Sequence, residues 1–279
     1  KTQISPLGMK PVCGLQNCGR SRYYTAFYST RAEFPGSVSG VNHRRAQRAG
    51  QAIEVIVTVF SQTETAITID GPVGGLEARI QAGSESGSLA ERGLAAIVCH
   101  PHPQHGGTMS NKVVTTLVRA YRDLGVATVR FNFRGVGASE GEFDHAVGEV
   151  DDLLAVHAWL AEQRPDGGVL LAGFSFGSAV AAGAVYRVES VEHLTLVAPP
   201  VERYTYDRDG RFPCPACIAQ GERDDVVVPE GVIRWSENRL QSPHALLRYP
   251  EAGHFFHGQL TELKTDLART LERQLGADS

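Results

Sequence analysis

The sequence predicts an α/β fold: a mostly parallel central sheet with helices on both faces. Three observations carry that expectation. From about residue 64 onward, apolar runs of four to eight residues alternate with amphipathic stretches, which is how strands buried on both faces and their covering helices are encoded. The composition, 42% hydrophobic and 21% charged, is that of a globular chain and excludes collagenous, coiled-coil and disordered classes. At 279 residues there is chain enough for one large core.

The elements follow in order. Thr65–Asp70 and Leu76–Ala82 read as an opening hairpin. Leu94–Cys99, Ala127–Asn132, Val169–Gly173, Leu194–Ala198, Ala216–Gln220 and Ala245–Tyr249 read as further strands. Helices are expected over 110–124, 146–163, 177–188, 230–241 and 258–275, where apolar residues recur at three- and four-residue spacing, as in Leu260, Leu263, Leu267, Leu271 and Leu275. Little chain lies between Pro199 and Pro215, so a large cap over the sheet is not expected.

Charge divides the chain. Residues 1–50 carry 8 basic and 1 acidic residue, leaving 19 basic and 30 acidic beyond them, from totals of 27 and 31. The acidic remainder speaks against a general nucleic-acid or anionic-membrane binder. Residues 1–63 read as a leader: a disordered tail, a transit-like segment, or sequence upstream of the true start. Residues 64–279 read as the α/β domain. A cytoplasmic location is the default, with an organelle as the alternative if the first 50 residues are a transit peptide. The longest uncharged stretch, Gly167 to Tyr186, contains five glycines and two serines and reads as a strand running into a small-residue helix, not as a membrane span.

One motif decides the chemistry. Gly173-Phe174-Ser175-Phe176-Gly177 follows an apolar strand and opens a helix, the context in which G-x-S-x-G forms a tight elbow with the serine hydroxyl above the sheet. The alternative is an ordinary strand-to-helix turn whose serine caps the helix. A serine nucleophile requires a base and an acid, and on such a sheet they follow in the order acid, then histidine. Asp224 stands just beyond an apolar strand, with Asp225 as its neighbour and rival. His254 follows the next strand behind Gly253 and is the expected base, while His257 reads as a surface or packing residue. Acyl transfer also requires donors for the oxyanion. Phe176 N–H is one. In the loop His100-Pro101-His102-Pro103 the prolines have no N–H, which leaves His102 as the second.

With these residues assembled, the chain resembles the α/β-hydrolase superfamily, and within it a group of small bacterial predicted hydrolases. The blocks that carry the resemblance are His100-Pro101-His102-Pro103 with Gly106-Gly107-Thr108-Met109 and Asn111-Lys112-Val113-Val114, then Arg130-Phe131-Asn132-Phe133-Arg134-Gly135-Val136-Gly137 with Ser139-Glu140-Gly141-Glu142-Phe143. Gly173 to Gly177 and His254-Phe255-Phe256-His257-Gly258 complete the set. The likeness spans about residues 64–275. It implies an α/β-hydrolase fold with a minimal cap and Ser175, Asp224 and His254 as the triad, and it implies no particular substrate.

The expected function is a serine hydrolase acting on a small-molecule carboxylic ester or thioester without a cofactor. The alternatives are a serine peptidase or amidase, an acyltransferase on the same triad, or a catalytically silent binding protein of the same fold. His100, His102 and His105 have no carboxylate or thiol at ligand spacing beside them, so no metal site is expected. Cys214-Pro215-Ala216-Cys217 lacks a following helix and reads as buried structural thiols. Asn111, Lys112, Arg134, Asp144 and Glu149 lie in blocks near the site, and each reads equally as a cap or a solvated charge.

Overall fold

The computed structural model describes residues 59–164, 166–206 and 210–276. The expectations placed on residues 1–58 lie outside the described residues. Eight strands form one sheet: β1 (Thr65–Gly71), β2 (Gly74–Gln81), β3 (Ala95–Cys99), β4 (Ala127–Phe131), β5 (Val169–Phe174), β6 (Val191–Val197), β7 (Ala216–Gly221) and β8 (His244–Tyr249). Their spatial order is β1-β2-β4-β3-β5-β6-β7-β8. The β1–β2 and β2–β4 pairs are antiparallel and the other five are parallel.

Burial follows that order. Every residue of β3, β5 and β7 is buried, whereas β2, near the edge, alternates Leu76, Ala78 and Ile80 inward with partly exposed neighbours. One core layer gathers side chains from α2 (Gly148–Gln163), α3 (Phe176–Ala184) and α4 (Pro229–Asn238), including Leu153, Val180 and Trp235. The other gathers those of α1 (Lys112–Asp123) and α5 (Leu260–Leu275), including Leu117, Leu267 and Leu271. Each of the five expected helices is present.

The ends moved for local reasons. Helix α1 starts two residues late because Asn111 caps it, its Oδ1 accepting Val113 N–H at 2.8 Å. Helix α2 starts at Gly148, not 146, because His145 and Ala146 take left-handed φ values of 53° and 69° in the preceding turn. Buried Glu149 holds that turn, accepting Asp144 N–H and Ala146 N–H at 2.8 Å each. Strand β6 begins three residues early, since Val191 and His193 pair with β5.

The chain leaves β3 for β4 on one side and then crosses to β5 on the other. That reversal opens a crevice beyond the carboxyl ends of β3 and β5, where ligands bind in sheets of this kind. Between β6 and β7 the described residues form turns and no helix, so the crevice stays uncapped. Gly167–Tyr186 is β5, a turn and most of α3, and no helix among the described residues is long and apolar enough to cross a membrane.

Candidate active site

The elbow between β5 and α3 is a backbone structure first. Ser175 has φ 53° and ψ −121°, a strained conformation for a residue with a side chain. The turn is so tight that a Cβ on Gly173 would sit 2.1 Å from Gly177 O, and one on Gly177 would sit 2.4 Å from His100 O. The two glycines therefore permit contact with the next turn and with the end of β3. The Ser175 side chain makes no capping bond to α3. Its Oγ instead lies 3.1 Å from His254 Nε2, which disposes of the simple capping reading.

His254 arrives from the loop after β8. Its Nδ1 lies 2.8 Å from Asp224 Oδ2, and the ring is flanked by Phe174 and Phe255, with centroids 5.0 and 5.1 Å away. Asp224 is 8% exposed and Asp225 is on the surface. Asp224 Oδ1 accepts Val226 N–H and Val227 N–H at 2.8 Å each, and Gln220 Nε2 donates to Oδ2 at 3.2 Å. Burial would raise the pKa of this carboxyl, but the hydrogen bonds from His254 and the two amides outweigh it and hold Asp224 below the ordinary carboxylate value. With an anion accepting at Nδ1, a neutral His254 carries its proton there, and Nε2 faces the Ser175 hydroxyl with a free lone pair. His257 is exposed, three residues before α5.

The loop after β3 is clamped from below. His100 is fully buried, its Nε2 accepting Phe133 N–H at 3.0 Å and its Nδ1 lying 2.7 Å from Pro101 O. Those bonds assign the ring proton to Nδ1, and burial pulls its pKa down to about 4. A Cβ on Gly107 would sit 2.1 Å from Pro101 O, and Gly107 N–H donates to His102 O at 3.0 Å, which folds the loop back on itself. Neither His102 N–H nor Phe176 N–H, the two expected oxyanion donors, makes a hydrogen bond among the described residues.

The Arg130–Phe143 block supports this loop and β4. Arg134 and Asp152 form a buried bidentate ion pair, with Nη2–Oδ1 at 2.7 Å and Nε–Oδ1 at 3.0 Å, and the Arg134 amide donates to the same carboxylate. Asn132 Oδ1 accepts Met109 N–H at 2.8 Å, and Ser139 Oγ donates to Asn132 O at 2.7 Å. Asn111, Arg134 and Glu149 are therefore caps and struts, while Lys112 is exposed at the start of α1. His100, Gln220 and Asp152 are supporting residues with no motif of their own: their partners lie 33, 4 and 18 residues away, and only folding brings them to the site. The Cys214 and Cys217 thiols are buried, and burial pushes each up to about 12.

A cavity of about 250 Å³ opens onto Ser175 and His254. Its walls include Phe176, Tyr204, Val227 and Phe255 on the apolar side and His102, His105, Asn111 and Arg203 on the polar side, with no Asp or Glu among the described lining residues.

The profile of the X-Pro dipeptidyl-peptidase (S15) family matches residues 61–273. An uncharacterized Rickettsia prowazekii protein is 37% identical over 205 residues, covering 70% of this chain and 84% of the relative. Among solved structures, a lidless α/β serine hydrolase of Xanthomonas campestris is 41% identical with a TM-score of 0.70, covering 75% of this chain and 94% of its own. An α/β serine hydrolase homologue of Coxiella burnetii is 43% identical with a TM-score of 0.69, covering 74% and 97%.

Proposed function

The chain belongs to the S15 family of the α/β-hydrolase superfamily and is a serine hydrolase, and from that premise we propose that it cleaves carboxylic esters or thioesters through an acyl-enzyme on Ser175. The observation that carries the proposal is the chain of short contacts from Ser175 Oγ to His254 Nε2 at 3.1 Å and from His254 Nδ1 to Asp224 at 2.8 Å.

In the first step Ser175 Oγ bonds to the acyl carbon while His254 Nε2 takes the hydroxyl proton. The carbonyl oxygen becomes an oxyanion facing the N–H groups of Phe176 and His102. The tetrahedral adduct collapses, the C–O or C–S bond breaks, and the leaving group departs with the proton from His254. Water then attacks the acyl carbon, gives its proton to the same nitrogen, and the carboxylic acid leaves as Ser175 regains its hydrogen. Asp224, held anionic by its two amide donors, orients the ring and stabilises its protonated form.

Peptidase activity is the second reading, favoured by the family's description. Release of an N-terminal dipeptide calls for an acceptor that holds the substrate's α-ammonium. The described walls offer imidazoles and a guanidinium instead of a carboxylate, which supports the ester reading. Fluorophosphonate labelling with peptide mapping tests the machinery: a single adduct on Ser175 is expected, absent in Ser175→Ala and His254→Ala. Turnover of 4-nitrophenyl esters against alanyl-prolyl 4-nitroanilide tests the bond. Faster cleavage of the anilide would overturn the ester assignment and leave the serine assignment standing.

A further inference from the structure

The cavity differs in charge from the molecule that carries it. Beyond residue 50 the chain holds 30 acidic against 19 basic residues, yet the described cavity walls hold Arg203, His102, His105 and His254 and no acid. Arg203 sits in the turn after β6. Its Nη2 donates to Val226 O at 3.3 Å, and among the described residues it has no carboxylate partner. The nearest acids are turned elsewhere or already engaged. Glu202 lies against α4, where a Cβ on Gly231 would meet its Oε1 at 2.6 Å. Both Asp224 oxygens are taken by His254 and amides, and the Glu149 oxygens by two amides. His102 and His105 stack with centroids 4.4 Å apart on the facing wall. The same positive surroundings act on His102, whose pKa is lowered by burial first and then by His105, His145 and Arg203.

We propose that this cavity is an anion-accepting pocket, in which Arg203, facing His102 and His105, selects short esters or thioesters that carry a carboxylate or a phosphate close to the scissile bond. The proposal rests on the serine-hydrolase reading and adds the substrate's charge to it. A guanidinium presents a planar fork that matches an oxygen-acid group and is available here because no protein carboxylate occupies it. Cleavage follows the steps given above, with the anionic group spectating at Arg203. The cavity's small volume places that group on the same short chain as the carbonyl.

The test compares 4-nitrophenyl hydrogen glutarate with its neutral methyl ester at fixed ionic strength. In the wild-type protein the charged ester is expected to have a kcat/KM at least about tenfold higher. That ratio is expected to collapse about tenfold in Arg203→Gln and to recover in part in Arg203→Lys. Binding is read separately, as thermal stabilisation by glutarate, dimethyl glutarate or inorganic phosphate. Stabilisation by glutarate or phosphate that is lost in Arg203→Gln supports the pocket, and the stronger of the two names the anion. An equal or reversed ester preference in the wild type, or a ratio unchanged in Arg203→Gln, overturns it. If neither ester turns over, the thermal measurement decides: absence of Arg203-dependent stabilisation overturns the anion pocket. Such stabilisation without a fluorophosphonate adduct on Ser175 keeps the pocket and rejects the hydrolase reading.

Discussion

The floor of the site and its mouth are built on different principles. On the floor, Ser175 is held by backbone approaches that leave no room for a side chain at Gly173 or Gly177, and His100, Asp152 and Asp224 are buried with their hydrogen-bonding atoms engaged. At the mouth, Arg203, His105 and Phe255 are exposed, and Arg203 is tied down by one bond of 3.3 Å. The difference separates reactivity from selection. Atoms that must meet within a few tenths of an ångström are fixed by close packing, whereas groups that choose a substrate stand on turns that can vary without disturbing the sheet.

The sharpest way to break that division is to exchange the buried acid for its exposed neighbour. Asp224→Asn is expected to lower kcat about 10⁴-fold on a 4-nitrophenyl ester, because an amide in place of the carboxylate neither holds the His254 tautomer nor stabilises its cation. Asp225→Asn, one residue away on the surface, is expected to change kcat by less than about twofold. The reverse result would move the acid to the mouth and dissolve the distinction.

The strut beneath the floor comes next. Asp152→Ala leaves the Arg134 guanidinium buried without its partner and is expected to destabilise the fold by about 3–5 kcal/mol, read by denaturant unfolding. A loss below about 1 kcal/mol would mean that the floor does not depend on this pair.

Acid should attack buried groups before exposed ones. His100 and His193 are both buried, and burial lowers each to about 4 from an ordinary 6.5. The unfolded chain therefore binds these protons first, so the stability they contribute is complete above about pH 6.5 and is lost as the pH falls toward 4. Each imidazole contributes a slope of up to about 1.4 kcal/mol per pH unit over that window. Unfolding free energies at pH 7.5 and 5.5 should differ by about 2–3 kcal/mol, and a flat profile would show that at least one ring is protonated in the folded state.

The smallest effect probes the strain at the elbow. With φ 53° and ψ −121°, position 175 suits glycine better than serine. Ser175→Gly is expected to be about 1 kcal/mol more stable than Ser175→Ala, both being inactive. Equal stabilities would remove the strain from the account of how the nucleophile is presented.

Much of this was legible along the chain, for reasons particular to each element. Unbroken apolar runs such as Val169–Phe174 mark central strands because both faces of β5 are buried, and Gly173 and Gly177 flank a serine because no other residue allows the approach to β3. The start of α2 was misjudged by two residues, because the turn before it is held by Glu149, a side chain inside the helix and indistinguishable in sequence from a solvated first-turn acid. The three histidines of the β3 loop read alike in sequence, yet His100 is buried beneath Phe133 while His102 and His105 line the cavity.

By itself the sequence determined the alternation of strands and helices, the elbow and the chain order of serine, acid and histidine, since these are written in local periodicity and short-range steric need. The tertiary structure alone decided between Asp224 and Asp225, gave His100 and Asp152 their supporting tasks, and set Arg203 opposite two imidazoles across a pocket in an acidic protein. Those outcomes depend on distances between residues tens of positions apart, and such distances exist only once the sheet has brought the ends of β3, β5, β7 and β8 to one edge.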